Sequence, residues 1–391
     1  FKQKTAYEIA SCLVGSEMCI RDSLILLQHS DVVPADEEFW TIPVLSGAIR
    51  DGVILGRGAR DMKGLGTLQL ATFLALHRSG VELNRDVVFL ATADEEAGGL
   101  YGVGWLIDNR PEIFEDIGIL LNEGGGGSRV GQSVVFSVEV TQKVPVWLRL
   151  YAVDRPGHGS SPRTTSSVTR IVQALNTLRE NPFPPRIIGP VNEYFGALSV
   201  DMDQEWAGSY ADIQSAINDP NFVEKLHEAR PGHNSLIRDT CSMTRMSGSN
   251  KINVIPPTAW AELDCRILPD KPADQFISEL DDLIGYTGVE IQTIMAFTPA
   301  ISETNSRLYR AIDSVTQELH PGSRVLPSVS TGFTDSHFTR DLGIISYGFN
   351  PIITNRGEHT GVHGNDEQVG EQAFRRGVAD YYAVVRNVVI D

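Results

Sequence analysis

Leu24-Ile25-Leu26-Leu27-Gln28-His29-Ser30-Asp31 sets an apolar run directly against a histidine and an aspartate, and the arrangement recurs twice. Val87 to Ala93 runs into Asp94-Glu95-Glu96, and Ile117 to Leu121 runs into Asn122-Glu123. The three runs are short, nearly uniform in apolarity and flanked by turn residues, the pattern of parallel strands buried on both faces. In such sheets ligands gather beyond the carboxyl ends of the strands. A fourth segment, Gly56-Arg57-Gly58-Ala59-Arg60-Asp61-Met62-Lys63-Gly64, puts another carboxylate between an apolar stretch and a helix. One sheet edge is therefore expected to collect His29, Asp61, Glu95, Glu96 and Glu123. Hard oxygen donors with an imidazole around one point suit a divalent metal.

Changes of period organise the rest of the chain. From Leu24 to about Lys143 the order is strand, loop, strand, helix, strand, helix, strand. The helix after Gly64 is apolar on most sides through Leu65, Leu68, Ala71, Phe73 and Leu76 and stops at Gly80, as suits a helix laid on a sheet. Val146, Leu148, Leu150 and Ala152 then alternate with Trp147, Arg149, Tyr151 and Val153, which predicts a strand with one covered face. A helix over Val168 to Glu180, strands near Ile237 to Met246 and Thr258 to Ile267, a helix over Ala273 to Ile284 and a strand over Val289 to Ala296 complete a β-α-β-β-α-β order, the split ferredoxin-like unit. Arg307 to Leu319 (helix), Ile344 to Phe349 (strand) and Glu367 to Val388 (helix) return to α/β alternation. The expected fold class is α/β, with a mainly parallel central sheet from residues 24–143 and 299–391. It is interrupted by a ferredoxin-like domain over 144–298, which carries an insertion over about 181–230.

A chain of 391 residues is too long for one ordinary core and fits two domains. Its hydrophobic share of 41% and charged share of 21% match globular proteins. A formal net charge of −17 with a pI near 5.0 repels nucleic acid and anionic membranes unless a local basic patch offsets it, and no such patch occurs. No apolar run approaches the roughly 20 residues that span a bilayer. Neither nucleic acid nor a membrane is expected as a partner. Cys12, Cys19, Cys241 and Cys265 lack zinc-type C-x-x-C spacing, and so few cysteines argue against a disulfide scaffold. They leave the compartment undecided. Ser11 to Ser23 resembles translated sequencing-adapter read-through, so residues 1–23 are expected to be a non-native leader, with the native amino terminus and any targeting signal lost.

Taken singly, each motif has a plain structural reading. His29 and Asp31 stand at i and i+2, on one side of an extended backbone, where Asp31 can orient a metal-ligating imidazole through its second nitrogen. An isolated H-x-D is more often a surface pair. Asp61 in a glycine-bracketed loop is equally a turn residue, and Glu95 and Glu96 repel each other unless a cation or proton compensates. Together they change the odds, because a catalytic metal site needs ligands, a base that is not a ligand, and a group to stabilise the oxyanion. The remaining parts lie downstream: His158 in Arg155-Pro156-Gly157-His158-Gly159-Ser160-Ser161-Pro162, and His363 in Val362-His363-Gly364-Asn365-Asp366-Glu367. His359 reads as a structural or surface residue, since the H-x-x-D/N-E pattern selects His363.

With these residues assembled, the chain resembles the dizinc amidohydrolases that include aminoacylase, carnosine-type dipeptidases, glutamate carboxypeptidase, acetylornithine deacetylase and succinyl-diaminopimelate desuccinylase. The resemblance runs from about Leu24 to the carboxyl terminus. Its motifs are H-S-D-V-V-P, G-R-G-A-R-D-M-K-G, A-D-E-E, N-E-G, G-H-G-S-S-P, N-V-I-P with D-C-R-I-L-P, and H-G-N-D-E, in family order. It implies a zinc-peptidase-like catalytic domain with a lid and dimerisation domain. It further implies two divalent ions per chain, zinc first, with Co2+ or Mn2+ as alternatives. By resemblance Asp61 bridges them, His29 and Glu123 complete one, Glu96 and His363 complete the other, Glu95 is the general base, and the Asp61–Met62 peptide is cis. His158 and Asn253 would come from the lid of a homodimer's other subunit, and Arg266 would contact the substrate carboxylate. Thr331 to Arg340 is similar to the substrate loop T-D-x-R, which points to Thr334 and Asp335, but His337 stands where an arginine is frequent.

The function implied is hydrolysis of the amide bond of a small N-acyl amino acid or dipeptide by a metal-activated water. A non-catalytic, metal-stabilised binding or scaffold protein of the same fold is the alternative, opposed by the intact base and five ligands. Gly64-Leu65-Gly66 suggests a dinucleotide-dependent oxidoreductase but lacks the third glycine and the acidic ribose reader. A serine hydrolase through Gly157-His158-Gly159-Ser160 lacks nucleophile-elbow spacing.

Overall fold

The structure is a computed structural model that describes residues 22–130, 133–355 and 360–390. Apart from Asp22 and Ser23, the proposed leader lies outside the described residues, as do Cys12, Cys19 and His359. The chain divides into two compact units. One holds the residues up to Val138, Ser302–Val325 and those from Phe338 onward; the other holds Glu139–Ile301 with Leu326–His337.

The first unit is built on an eight-stranded sheet. Along its main path the strands run Ile353–Asn355, Gly126–Val130, Ser133–Gln142, Ile345–Gly348, Ile117–Asn122, Ser23–His29 and Val87–Thr92. Ser23–His29 pairs in parallel with both Val87–Thr92 and Ile117–Asn122, and Ile345–Gly348 continues the parallel set. The fold is α/β with a mainly parallel central sheet, as expected. Leu24, Ile25, Leu26 and Leu27 are each 0% exposed, so the uniform apolar run is needed because both faces are covered. Leu65, Leu68 and Leu76 are buried on the helix Lys63–Ser79, which packs against the helix Glu371–Ile390. Ile25, Leu27, Val103, Phe114 and Leu120 share another core cluster.

Past the strand Ile117–Asn122 the glycine-rich run leads into Gly126–Val130, a strand antiparallel to Ser133–Gln142. Close approach requires the glycine: a Cβ on Gly127 would stand 3.0 Å from both Ile353 and Phe136.

The second unit contains a four-stranded antiparallel sheet in the order Thr240–Ser247, Thr258–Ile267, Val144–Val153, Glu290–Ala296. With the helices Ser167–Glu180 and Ala273–Ile284 between them in the chain, the strands complete a β-α-β-β-α-β order. Val146, Leu148, Leu150 and Ala152 point into its core with Ile171, Phe276 and Leu280. Cys241 and Cys265, directly opposite in the register, form a disulfide. The irregular stretch after Asn181 folds into short helices from Gly189 to Leu236 around a core of Val191, Phe195, Trp206, Tyr210 and Leu226. No helix among the described residues is long and apolar enough to cross a membrane.

Candidate active site

Parallel register brings the chemistry to one edge of the first unit. His29 is the last residue of its strand and pairs with Thr92, while Asn122 pairs with Gly348. The residues just past these ends, Glu95, Glu96 and Glu123, therefore emerge beside His29. Asp94 turns the chain there in a left-handed conformation (φ 72°), its carbonyl accepting from the N–H groups of Ala97 and Gly99. Asp61 arrives from the loop before the helix Lys63–Ser79, and its bond to Met62 is cis. The loop lies tight on the helix start, since a Cβ on Gly64 would meet the Ala59 carbonyl oxygen at 2.1 Å.

Asp61 stands between two imidazoles. Its Oδ1 is 3.2 Å from His29 Nε2 and its Oδ2 is 3.0 Å from His363 Nε2. His29 Nε2 also lies 3.6 Å from Glu123 Oε1 and 3.9 Å from Glu95 Oε2, and His363 Nε2 lies 3.3 Å from Glu96 Oε2. His29 Nδ1 is 3.2 Å from the Asp31 carbonyl oxygen and 3.4 Å from Asp31 Oδ1. Asp31 Oδ2 accepts from the Glu96 N–H at 3.1 Å. Asp31 thus ties the His29 ring to the backbone of Glu96.

The electrostatics call for a cation. Burial alone would lower the His29 imidazole, but hydrogen bonds to Asp61 and Glu123 and the charge of Glu95 overcome it and push it up to about 12. Burial drives Glu123 and Glu96 above the usual carboxylate range, with the Asp61 charge acting in the same direction; Asp61 is held below that range because His29 outweighs its burial. Glu96 Oε1 is buried without a hydrogen-bond partner. His29, Glu95 and Glu123, and likewise His29, Asp61 and Glu96, can each bring ligand atoms within 4.8 Å of one another. Mixed imidazole and carboxylate donors with an orphaned buried oxygen fit a divalent metal.

The second unit places the other candidates in two groups. His158 is exposed, on the short strand Gly157–His158 that pairs with Val254–Ile255, and the Asn253 carbonyl accepts from the Gly159 N–H at 2.8 Å. Arg266 donates from Nε to Asp264 at 2.7 Å and lies over the Phe333 ring, while its Nη1 is buried without a partner. Beyond Phe333, Thr334, Asp335 and His337 are all buried. Thr334 donates from its N–H to Gln142, and His337 stacks on Phe297 with ring centroids 3.8 Å apart.

Residues 25–387 match the model of peptidase family M20/M25/M40. The chain belongs to this family. It is 29% identical over 373 residues to N-fatty-acyl-amino acid synthase/hydrolase PM20D1 of Xenopus tropicalis, covering 93% of this chain and 72% of that protein. Aminoacylase-1 of Sus scrofa is 26% identical over 369 residues, covering 92% and 78%. Among solved structures, the M20 family metallo-carboxypeptidase Sso-CP2 of Sulfolobus solfataricus superposes with a TM-score of 0.69 at 19% identity, over 94% of this chain and 85% of that one. Human carnosine dipeptidase 1 gives 0.60 at 15% identity, over 96% and 82%.

In this M20 chain one working residue had no role assigned from sequence. Glu367 is 0% exposed and gathers the whole Asp61 loop. It accepts from the N–H groups of Gly58, Arg60 and Asp61 at 2.9, 2.7 and 2.9 Å, and from Arg57 Nη1 at 2.9 Å. Arg57 Nη2 in turn donates to the Gly364 carbonyl at 2.8 Å, next to His363. The signal was present, because Glu367 closes the H-G-N-D-E motif that begins at His363.

Proposed function

We propose that this chain is a metal-dependent hydrolase that cleaves the amide bond of a small N-acyl amino acid or dipeptide. The observation that carries the reading is Asp61, one oxygen toward His29 and the other toward His363, with Glu95, Glu96 and Glu123 around it. On this reading the site holds two divalent ions, most naturally zinc, with Co2+ or Mn2+ also compatible with the donors. Asp61 would be shared between them, with His29 and Glu123 on one and Glu96 and His363 on the other. When bound, such ions lower the pKa of a water and polarise a carbonyl oxygen.

Glu95 then serves as the general base, taking the proton of the attacking water and returning it to the leaving amine. Asp31 orients the His29 ring. His158 Nδ1 accepts from the Ser160 N–H at 3.2 Å, so a neutral ring carries its proton on Nε2 and offers it to the developing oxyanion. The free Nη1 of Arg266 suits the substrate carboxylate, with Asn253, Thr334, Asp335 and His337 as further substrate-side residues. The acyl-amino acid class agrees with the names of the curated relatives, N-fatty-acyl-amino acid synthase/hydrolase and aminoacylase-1.

In this scheme residues 24–143 and 299–391 form the catalytic domain, and 144–298 form a lid through which two chains pair. Ile252 (106% exposed) leaves an apolar side chain open beside Asn253, which favours a pairing surface there. The function is tested on a panel of N-acyl amino acids and dipeptides. Turnover is expected to vanish on chelation and return with zinc; full turnover after verified metal removal would overturn it.

A further inference from the structure

A second cavity system lies within the second unit. One cavity of about 360 Å³ is lined by Pro182, Pro185, Ile217, Pro220 and Val223, with Glu224, His227 and Arg238. Its neighbour, about 230 Å³, shares Pro182, His227 and Arg238 and adds Phe183, Asn234 and Met243 among its walls. Volumes of this size suit a small organic ligand. The walls are mostly apolar, and at the junction of the two cavities stands a cation.

Arg238 is 8% exposed. Its Nε is buried without a hydrogen-bond partner, and no carboxylate pairs with its guanidinium among the described residues. The nearest candidate along the chain, Asp239, is already engaged: Arg186 donates to both of its oxygens at 2.8 and 2.9 Å, Lys271 Nζ lies 2.9 Å away, and the Leu268 N–H donates at 2.8 Å. Glu224 is exposed at the rim. Burial accordingly holds the Arg238 guanidinium below its ordinary value, with no offsetting charge. Asn234, 6% exposed and on the same cavity wall, also has its side-chain oxygen buried without a partner. An unpaired buried cation is costly, so Arg238 at the junction of the two apolar cavities points to an absent anion, whereas the Asn234 oxygen, an acceptor, calls for a donor.

We propose that this cavity binds the carboxylate of an amphipathic monoacid, a fatty acid in chemical class, with the headgroup on Arg238 and the chain along Ile217 and Val223. An anion alone would leave the apolar walls unused, and an uncharged chain would leave the guanidinium unpaired. The lining residues all belong to Glu139–Ile301, whereas His29 and Asp61 belong to the other unit. Binding is therefore expected to be independent of metal.

The full chain, stripped of metal by chelation, is titrated calorimetrically with sodium dodecanoate below its micellar concentration, and in parallel with dodecanol and inorganic phosphate. Saturable dodecanoate binding is expected, with the other two at least about tenfold weaker, the weight of a charge-assisted hydrogen bond. Arg238→Met should weaken dodecanoate at least about tenfold while leaving Tm unchanged or higher, because it removes an unpaired buried charge. Val223→Trp, which fills the channel and spares the arginine, should weaken it as well. Absence of saturable binding to the wild-type chain, equal binding of phosphate, or unchanged dodecanoate binding in both variants would overturn the proposal. So would a large loss of Tm in Arg238→Met with wild-type binding in Val223→Trp, since the arginine would then be structural.

Discussion

Glu95 and Glu96 are neighbours in sequence with different company in the fold: Glu95 is 5% exposed and 3.9 Å from His29, whereas Glu96 lies 3.3 Å from His363. If Glu95 is the base and not a ligand, Glu95→Gln should lower kcat by at least about a hundredfold while metal content stays near that of the wild type. Asp61→Ala should lose metal instead. Elemental analysis beside a turnover assay separates the two, and near-normal turnover in Glu95→Gln would remove the assignment. Glu367 makes a different demand. Replacing it with Gln leaves one acceptor oxygen for four donors and strips Arg57 of its buried counter-charge. Breaking a buried pair costs about 3–5 kcal/mol, and loss of an outer partner weakens metal binding about 10–100-fold. Wild-type Tm and wild-type metal affinity in a chelator competition would show that Glu367 does not position the loop.

Elements rather than residues explain the helices from Gly189 to Leu236. His233 sits among the rings of Tyr194, Phe195 and Tyr210, with Nδ1 2.6 Å from the Tyr210 hydroxyl. Burial, reinforced by the charge of Arg230, lowers its imidazole from 6.5 to about 4. An unfolded chain takes up this proton as pH falls through 6.5, and the folded one does not until about 4. Its contribution is thus complete above pH 6.5 and is lost between there and about 4, on the order of 3 kcal/mol in all. Urea unfolding at pH 7.5 and pH 5 should show a smaller drop for His233→Gln than for the wild type. An identical drop would place the acid sensitivity elsewhere. The same stretch was opaque in sequence because helices this short carry little period, whereas the longer elements Thr258–Ile267, Ala273–Ile284 and Arg307–Leu319 were legible.

At the scale of the whole molecule, His158 and the Asp61 cluster belong to different units, and the proposed chemistry needs both. If His158 of the partner subunit completes each site, a mixture of the inactive Glu95→Gln and His158→Ala chains should regain part of the activity, at most about a quarter of that of the wild type when exchange is random, because one site of the mixed dimer is intact. No recovery after subunit exchange, verified by mass on differently tagged chains, would show that His158 acts within its own chain or not at all.

Local order alone determined the strands that present the cluster. Leu24–Leu27 and Ile117–Leu121 are apolar without alternation because both faces of a parallel sheet are covered, whereas the edge strand Val87–Thr92 is only half-buried although its sequence reads the same. Other features depended on contacts far apart in the chain. The strand Gly126–Val130 exists because Phe136 and Ile353 approach a glycine, and the Cys241–Cys265 bond exists because two strands fall into register. Glu367 serves Asp61 across 306 positions, and Arg238 stands without a carboxylate while its chain neighbour Asp239 is held by Arg186 and Lys271. Periodicity records what each segment needs from its surroundings; which distant residue meets that need is decided only when the chain closes on itself.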